Sequence, residues 1–124
     1  MKATDTGIKR ILKAFVYSYD GFKAAFKSEA AFRQDIYFFI VMTIVALCLD
    51  MPGWQQARLI ASLLIILLAE LTNTAIETTI DRISDEYHEL SKKAKDIGSL
   101  LVLLSFIYVA LIWGTTIHGW LVYS

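Results

Sequence analysis

ELTNTAIETTIDRISDEYHEL, residues 70–90, follows directly on LIASLLIILLA, residues 59–69, which carries no charge. Glu70, Asn73, Glu77 and Asp81 are spaced by 3, 4 and 4. At about 100° per residue, those four side chains fall within an arc of roughly 80° on one helix. The reading of this stretch decides the fold. It is either a polar seam between packed helices, with Asn73 and Thr74 bridging neighbours, or a working site. A charged group inside a membrane span costs at least about 2.5–3.5 kcal/mol on insertion scales, and such groups usually face protein or water and mark function. Asp81, at the end of the stretch beside Arg82, also fits a surface ion pair.

Outward from this helix the chain is apolar. Of 124 residues, 56% are apolar and 19% charged, with no net charge. An ordinary soluble domain has about 45–50% apolar residues. Most charges lie before Asp35 or between Asp81 and Asp96, so no basic face for nucleic acid runs along the chain. Three apolar stretches stand out: IYFFIVMTIVALCL at residues 36–49, residues 59–80, and residues 97–120. A membrane-crossing helix needs about 20 residues. The third stretch meets that length. The first must recruit residues 30–34, and the second must keep Glu70 and Asn73 inside the membrane.

The connections agree with three spans. Asp50-Met-Pro-Gly is a turn signal, and residues 82–95 read as a polar loop or helix end. Lys2, Lys9, Arg10, Lys13, Lys23, Lys27 and Arg33 precede the first span, and Arg82, Lys92, Lys93 and Lys95 lie between the second and third. The first connection holds only Arg58 and the C-terminal end has no base. Basic residues collect on the cytoplasmic side, which places the N-terminus and residues 82–95 there and the C-terminus outside. The polar, basic N-terminus without a cleavage site is not the pattern of a removed signal peptide.

Ile8, Ile11, Leu12, Phe15, Tyr19, Phe22 and Phe26 recur at helical spacing, with lysines and Arg10 on the other faces. This predicts an amphipathic helix lying in the membrane interface, with Gly21 as a point of bending or breakage. The expected fold is an all-α membrane protein. A surface helix over about 5–28 precedes transmembrane helices over about 30–49, 55–82 and 97–120, in one membrane-embedded domain of residues 1–124. Cys48 reads as a packing residue.

Glu29 stands just before the first span at the depth of Glu77. Two carboxylates there suit Mg²⁺, which binds one or two carboxylates together with phosphate oxygens and water. Lys95 offers a charge to a phosphate, and Asp96 an acceptor to a ribose hydroxyl, an adenine amine or a cation. Both also fit plainer roles, since loop lysines orient spans and Asp96 or Ser99 would cap the third helix. His88 has no Cys or second His nearby, so zinc is not indicated. No G-x-x-x-x-G-K-[ST], G-x-G-x-x-G or G-x-S-x-G occurs. Any nucleotide would be held by metal, Arg and Lys.

EAAFRQ at residues 29–34, the E-x-x-N-x-x-x-E-x-x-x-D row, EYHELS at residues 86–91 and AKDIGS at residues 94–99 resemble the bacterial integral-membrane diacylglycerol kinase family. The resemblance runs from about residue 8 to residue 113. It implies a homotrimer with active sites shared between subunits at the inner-membrane interface, and transfer of the γ-phosphate of MgATP to diacylglycerol, giving phosphatidic acid for phospholipid metabolism. Glu70 then resembles the general base, with Asn73 and Asp81 supporting catalysis. Glu29 and Glu77 resemble the Mg²⁺-holding pair. Arg10, Tyr17, Glu29, Glu77, Glu86, Tyr87, His88, Lys95 and Asp96 fall on ATP-binding positions. Phe32, Arg33, Gln34, Glu70, Ser99 and Trp113 fall on lipid-substrate positions. Asp35 stands where a glutamate is expected, and Leu100 and Leu101 are bulkier than the usual alanines, which bears on lipid choice. A second branch of the family phosphorylates undecaprenol; EYHELS resembles the diacylglycerol branch better. A cation or proton conductor using Glu70 and Glu77 is the alternative of a different class, and it leaves Lys95, Asp96 and the basic surface helix without a role.

Overall fold

The computed structural model describes residues 6–123. The expected helix start at residue 5, the charge of Lys2 and the chain ends lie outside the described residues. Within them the chain forms α1 (Gly7–Ser28), α2 (Ala30–Cys48), α3 (Gly53–Ile83) and α4 (Glu89–Tyr123). The last three are long and apolar enough to cross a membrane, the pattern of a multi-pass membrane protein.

Helix α1 starts at Gly7 with φ +64°, a left-handed conformation that glycine adopts without strain. It runs unbroken through Gly21, contrary to the expected bend. One interior glycine costs only about 1 kcal/mol relative to alanine, and the apolar stripe continues on both sides of it. The helix stops at Glu29, whose backbone is extended (φ −113°, ψ 108°). Arg33 then reaches back and donates from Nη1 to the carbonyls of Phe26 (2.7 Å) and Lys27 (3.0 Å). A cation on the last carbonyls of a helix satisfies acceptors that have no partner within the helix. Phe32, 1% exposed, sits edge-on to Phe22 at 5.6 Å, and Phe26 meets Tyr37 at 6.3 Å. This aromatic corner fixes α1 against the start of α2.

At the opposite end, Gln56 Nε2 donates to the carbonyls of Leu49 (3.0 Å) and Leu47 (3.4 Å), and Pro52 opens α3. Trp120 Nε1 donates to the Asp50 carbonyl at 2.9 Å, tying the end of α4 to this turn. Ala46, Leu59, Leu63, Ile66, Val109 and Trp113 form the core between the helices in this half of the bundle. Large apolar side chains such as Ile40, Val41, Leu64, Leu68, Leu104 and Leu111 point outward. Ser62, Ser105 and Thr116 are buried inside. Small polar residues inward and large apolar ones outward is the distribution of helices packed in lipid.

The connection from α3 to α4 is shorter than expected. It ends at His88, whose Nδ1 accepts from the Leu90 N–H at 3.1 Å and whose carbonyl accepts from the Lys92 N–H at 3.0 Å. Lys92, Lys93 and Lys95 therefore stand on the first turns of α4, and Asp96 and Ser99 lie inside it rather than capping it. Lysine and alanine are good helix formers, and Glu89 in the first turn complements the positive end of the helix dipole.

Candidate active site

Helix α3 carries the acids in order. Glu70 is 7% exposed, Asn73 and Glu77 are half-buried, and Asp81 is exposed. The row therefore climbs from the packed interior to the end of the bundle that holds the 84–88 loop.

A cleft of about 390 Å³ opens beside Glu70, lined by Gln34 and Asp35 of α2, Asn73 of α3, and Ser99 and Phe106 of α4. Three helices thus bring Gln34, Glu70, Asn73 and Ser99 together. A second cleft, of about 410 Å³, is lined by Asp81, Glu86, Tyr87, His88, Lys95 and Asp96 among others. Glu77 stands between the two along α3. Asn73 Nδ2 donates to Glu77 Oε1 at 2.7 Å, so the residue lining the inner cleft is tied to the next acid toward the outer one. Lys95 Nζ pairs with Asp81 Oδ1 at 2.8 Å, and Lys92 Nζ with Asp96 Oδ2 at 2.6 Å.

The remaining expected residues sit elsewhere. Arg10 and Tyr17 are exposed on α1 and line neither cleft. Phe32 and Arg33 build the α1–α2 corner. Trp113 is buried at the other half of the bundle, where its Nε1 donates to the Leu59 carbonyl and to Ser62 Oγ, both at 3.2 Å. Glu29 occupies the break between α1 and α2.

Among the described residues, no group of three or more His, Cys, Asp and Glu is arranged to hold a metal. A divalent ion that brings its own phosphate oxygens needs only one or two carboxylates from the protein. Glu77, half-buried and accepting from Asn73 Nδ2 at Oε1 alone among the hydrogen bonds seen within the described residues, is a carboxylate of that kind.

Residues 16–117 match the family model described as prokaryotic diacylglycerol kinase. The chain belongs to the prokaryotic diacylglycerol kinase family. A diacylglycerol kinase of Pseudomonas aeruginosa is 46% identical over 114 residues, covering 92% of this chain and 93% of the relative. A diacylglycerol kinase of Escherichia coli K12 is 42% identical over 113 residues, covering 91% and 93%. One from Haemophilus influenzae is 37% identical over 109 residues, covering 88% and 92%. These are lipid kinases by name, and the family match spans both clefts while leaving Arg10 outside it.

Two relations within the site escaped the sequence reading. Asp35 of α2 lines the same cleft as Glu70 of α3. The available signal was that Asp35 is the acid furthest into the first apolar stretch. Gly98 of α4 is buried against Asn73. Nothing in the pattern of either helix pairs those two positions.

Proposed function

We propose that this chain transfers the γ-phosphoryl group of ATP to the free hydroxyl of diacylglycerol, forming phosphatidic acid. The observation that carries the reading is the pair of clefts along one row of acids: an inner one between α2, α3 and α4, with Val102 and Phe106 on its wall, and an outer polar one at the 84–88 loop. A lipid acceptor and a water-soluble donor need such an arrangement in order to meet.

In this scheme the headgroup enters the cleft beside Gln34, Glu70 and Ser99 while its chains stay among the helices. Glu70 accepts the proton of the acceptor hydroxyl, the lipid oxygen bonds to the γ-phosphorus, and the bond to the β-phosphate oxygen breaks to release ADP. Asn73 orients the reacting groups. Lys95 and Asp96, with Glu86, Tyr87 and His88, hold the nucleotide, and Asp81 steadies Lys95. Phosphoryl transfer depends chiefly on in-line positioning and charge neutralisation. Glu29 and Glu77 would hold Mg²⁺, which supplies neutralisation of the phosphate oxygens.

The family resemblance implies a homotrimer, and the position of Arg10 and Tyr17 outside both clefts fits sites that neighbouring subunits complete. The distribution of Lys and Arg supports a multi-pass arrangement in the bacterial inner membrane, with the N-terminus and the 84–88 loop cytoplasmic, where ATP is available, and the C-terminus outside. Asp35 beside Glu70, and the bulk of Leu100 and Leu101, favour testing undecaprenol as a second acceptor.

The test is label transfer from γ-labelled ATP in detergent, with Mg²⁺ and each lipid in turn. Label in phosphatidate is the expected result. Label only in undecaprenyl phosphate moves the chain to the other branch. No label in either lipid, with ion flux across vesicles containing the protein, overturns the kinase reading.

A further inference from the structure

Asn73 reaches Glu77 with its nitrogen, but its other polar atom is unusual. Asn73 Oδ1 is buried and, among the described residues, has no hydrogen-bond partner. It faces Gly98 of α4. A Cβ built on Gly98 would overlap Asn73 Oδ1 and come within 3.2 Å of its Cγ, whereas the nearest Asn73 backbone atom would be at an ordinary 3.6 Å. The amide of Asn73 is thus seated on bare backbone, with its nitrogen turned toward Glu77 Oε1 at 2.7 Å.

We propose that Gly98 is a positioning residue: its missing Cβ makes the seat that aims Asn73 at Glu77 and so holds the Glu77 carboxylate in its cation-binding attitude. This rests on the reading of Glu77 as a Mg²⁺ holder. It explains why a glycine stands inside α4, where it weakens the helix relative to alanine. Gly21, Gly53, Gly114 and Gly119 meet nothing within 4 Å at the same test. Residues that orient a metal-holding side chain commonly change metal affinity by about 10–100-fold when lost.

The experiment is Gly98→Ala. The clash falls on the end of a side chain that can swing aside, so the helices keep their packing and the Asn73–Glu77 hydrogen bond is what gives way. Asn73 is the only asparagine in the chain, so ¹⁵N-asparagine labelling reports its side-chain amide alone. In Gly98→Ala that amide resonance moves as it does in Glu77→Ala. Mn²⁺ binding, followed by electron paramagnetic resonance with a non-hydrolysable ATP analogue, weakens by about tenfold. Gly119→Ala changes neither.

An unmoved amide resonance, or unchanged Mn²⁺ affinity alongside weakened binding in Glu77→Ala, overturns the role of Gly98 and leaves the kinase reading intact. Unchanged Mn²⁺ affinity in Glu77→Ala itself overturns the metal assignment and with it this proposal. Should Gly98→Ala fail to assemble, the double variant with Asn73→Ser removes the overlapping atoms. Recovery of the fold shows that the added methyl meets the Asn73 amide and supports the seat, and continued misfolding overturns it.

Discussion

Lys95 Nζ lies 2.8 Å from Asp81 Oδ1 and ties the second turn of α4 to the last turn of α3. Both side chains remain substantially open to solvent, at 43% and 60%. An exposed pair of this kind contributes little to stability. The pair therefore aims the lysine more than it braces the bundle. On the proposed reading, Lys95→Met raises the KM for ATP by about tenfold or more, since it removes a charge-assisted hydrogen bond to phosphate. Its thermal denaturation in detergent stays close to the parent's. Initial rates over an ATP series and thermal denaturation check the two halves. A large loss of stability with an unchanged KM would make the lysine a strut.

Glu70→Gln keeps the shape and hydrogen-bonding capacity of the side chain but removes its ability to take a proton. General-base assistance contributes about 10²–10⁴ in rate. The variant is expected to assemble normally, to bind ATP normally and to lose activity by about that factor in kcat. Size-exclusion elution and nucleotide binding serve as the controls. Turnover within a few-fold of the parent would remove Glu70 from the base role.

Glu29→Ala and Glu77→Ala are each expected to shift the Mg²⁺ activation curve to higher concentration, by about tenfold, while saturating Mg²⁺ restores part of the rate. Glu29 stands at the break between two helices, so its replacement also reports whether an extended residue there must be acidic. If both variants follow the parent's Mg²⁺ titration, the carboxylate pair does not hold the cation.

The three apolar helices, the Pro52 turn and the row from Glu70 to Asp81 were all legible in the sequence, because each depends on periodicity and chain-local chemistry. The grouping of Glu86, Tyr87, His88, Lys95 and Asp96, which line one cleft, came through the family resemblance rather than from periodicity. What periodicity cannot convey is which residue of one helix faces which residue of another. The cleft shared by Asp35 and Glu70, the Gly98 seat and the return of Arg33 to the end of α1 are all of that kind. The loop-or-helix-end reading of residues 82–95 resolves into helix from Glu89 onward, upstream of the expected span at 97–120, because a run of lysines resembles a loop until Glu89 and the His88 hydrogen bonds are seen to begin a helix. Arg10 and Tyr17 line neither of the two clefts.

Trp113 separates a lipid-lining role from a packing role. Its indole is buried and donates to the Leu59 carbonyl and Ser62 Oγ, far along α4 from Ser99. Trp113→Ala removes a large buried side chain, a change that costs about 3–5 kcal/mol. It also leaves Ser62 Oγ without its donor. Trp113→Phe keeps most of the volume and loses the hydrogen bonds, a cost of about 1 kcal/mol. If Trp113 acts by packing, both variants lose thermal stability in that order, while the surviving enzyme keeps the parent's KM for diacylglycerol. Denaturation midpoints and lipid-dependent rates on the same preparations decide it. A KM raised several-fold in Trp113→Phe, with little loss of stability, would return this residue to the lipid path and extend that path well past Phe106 toward the Pro52 end of the bundle.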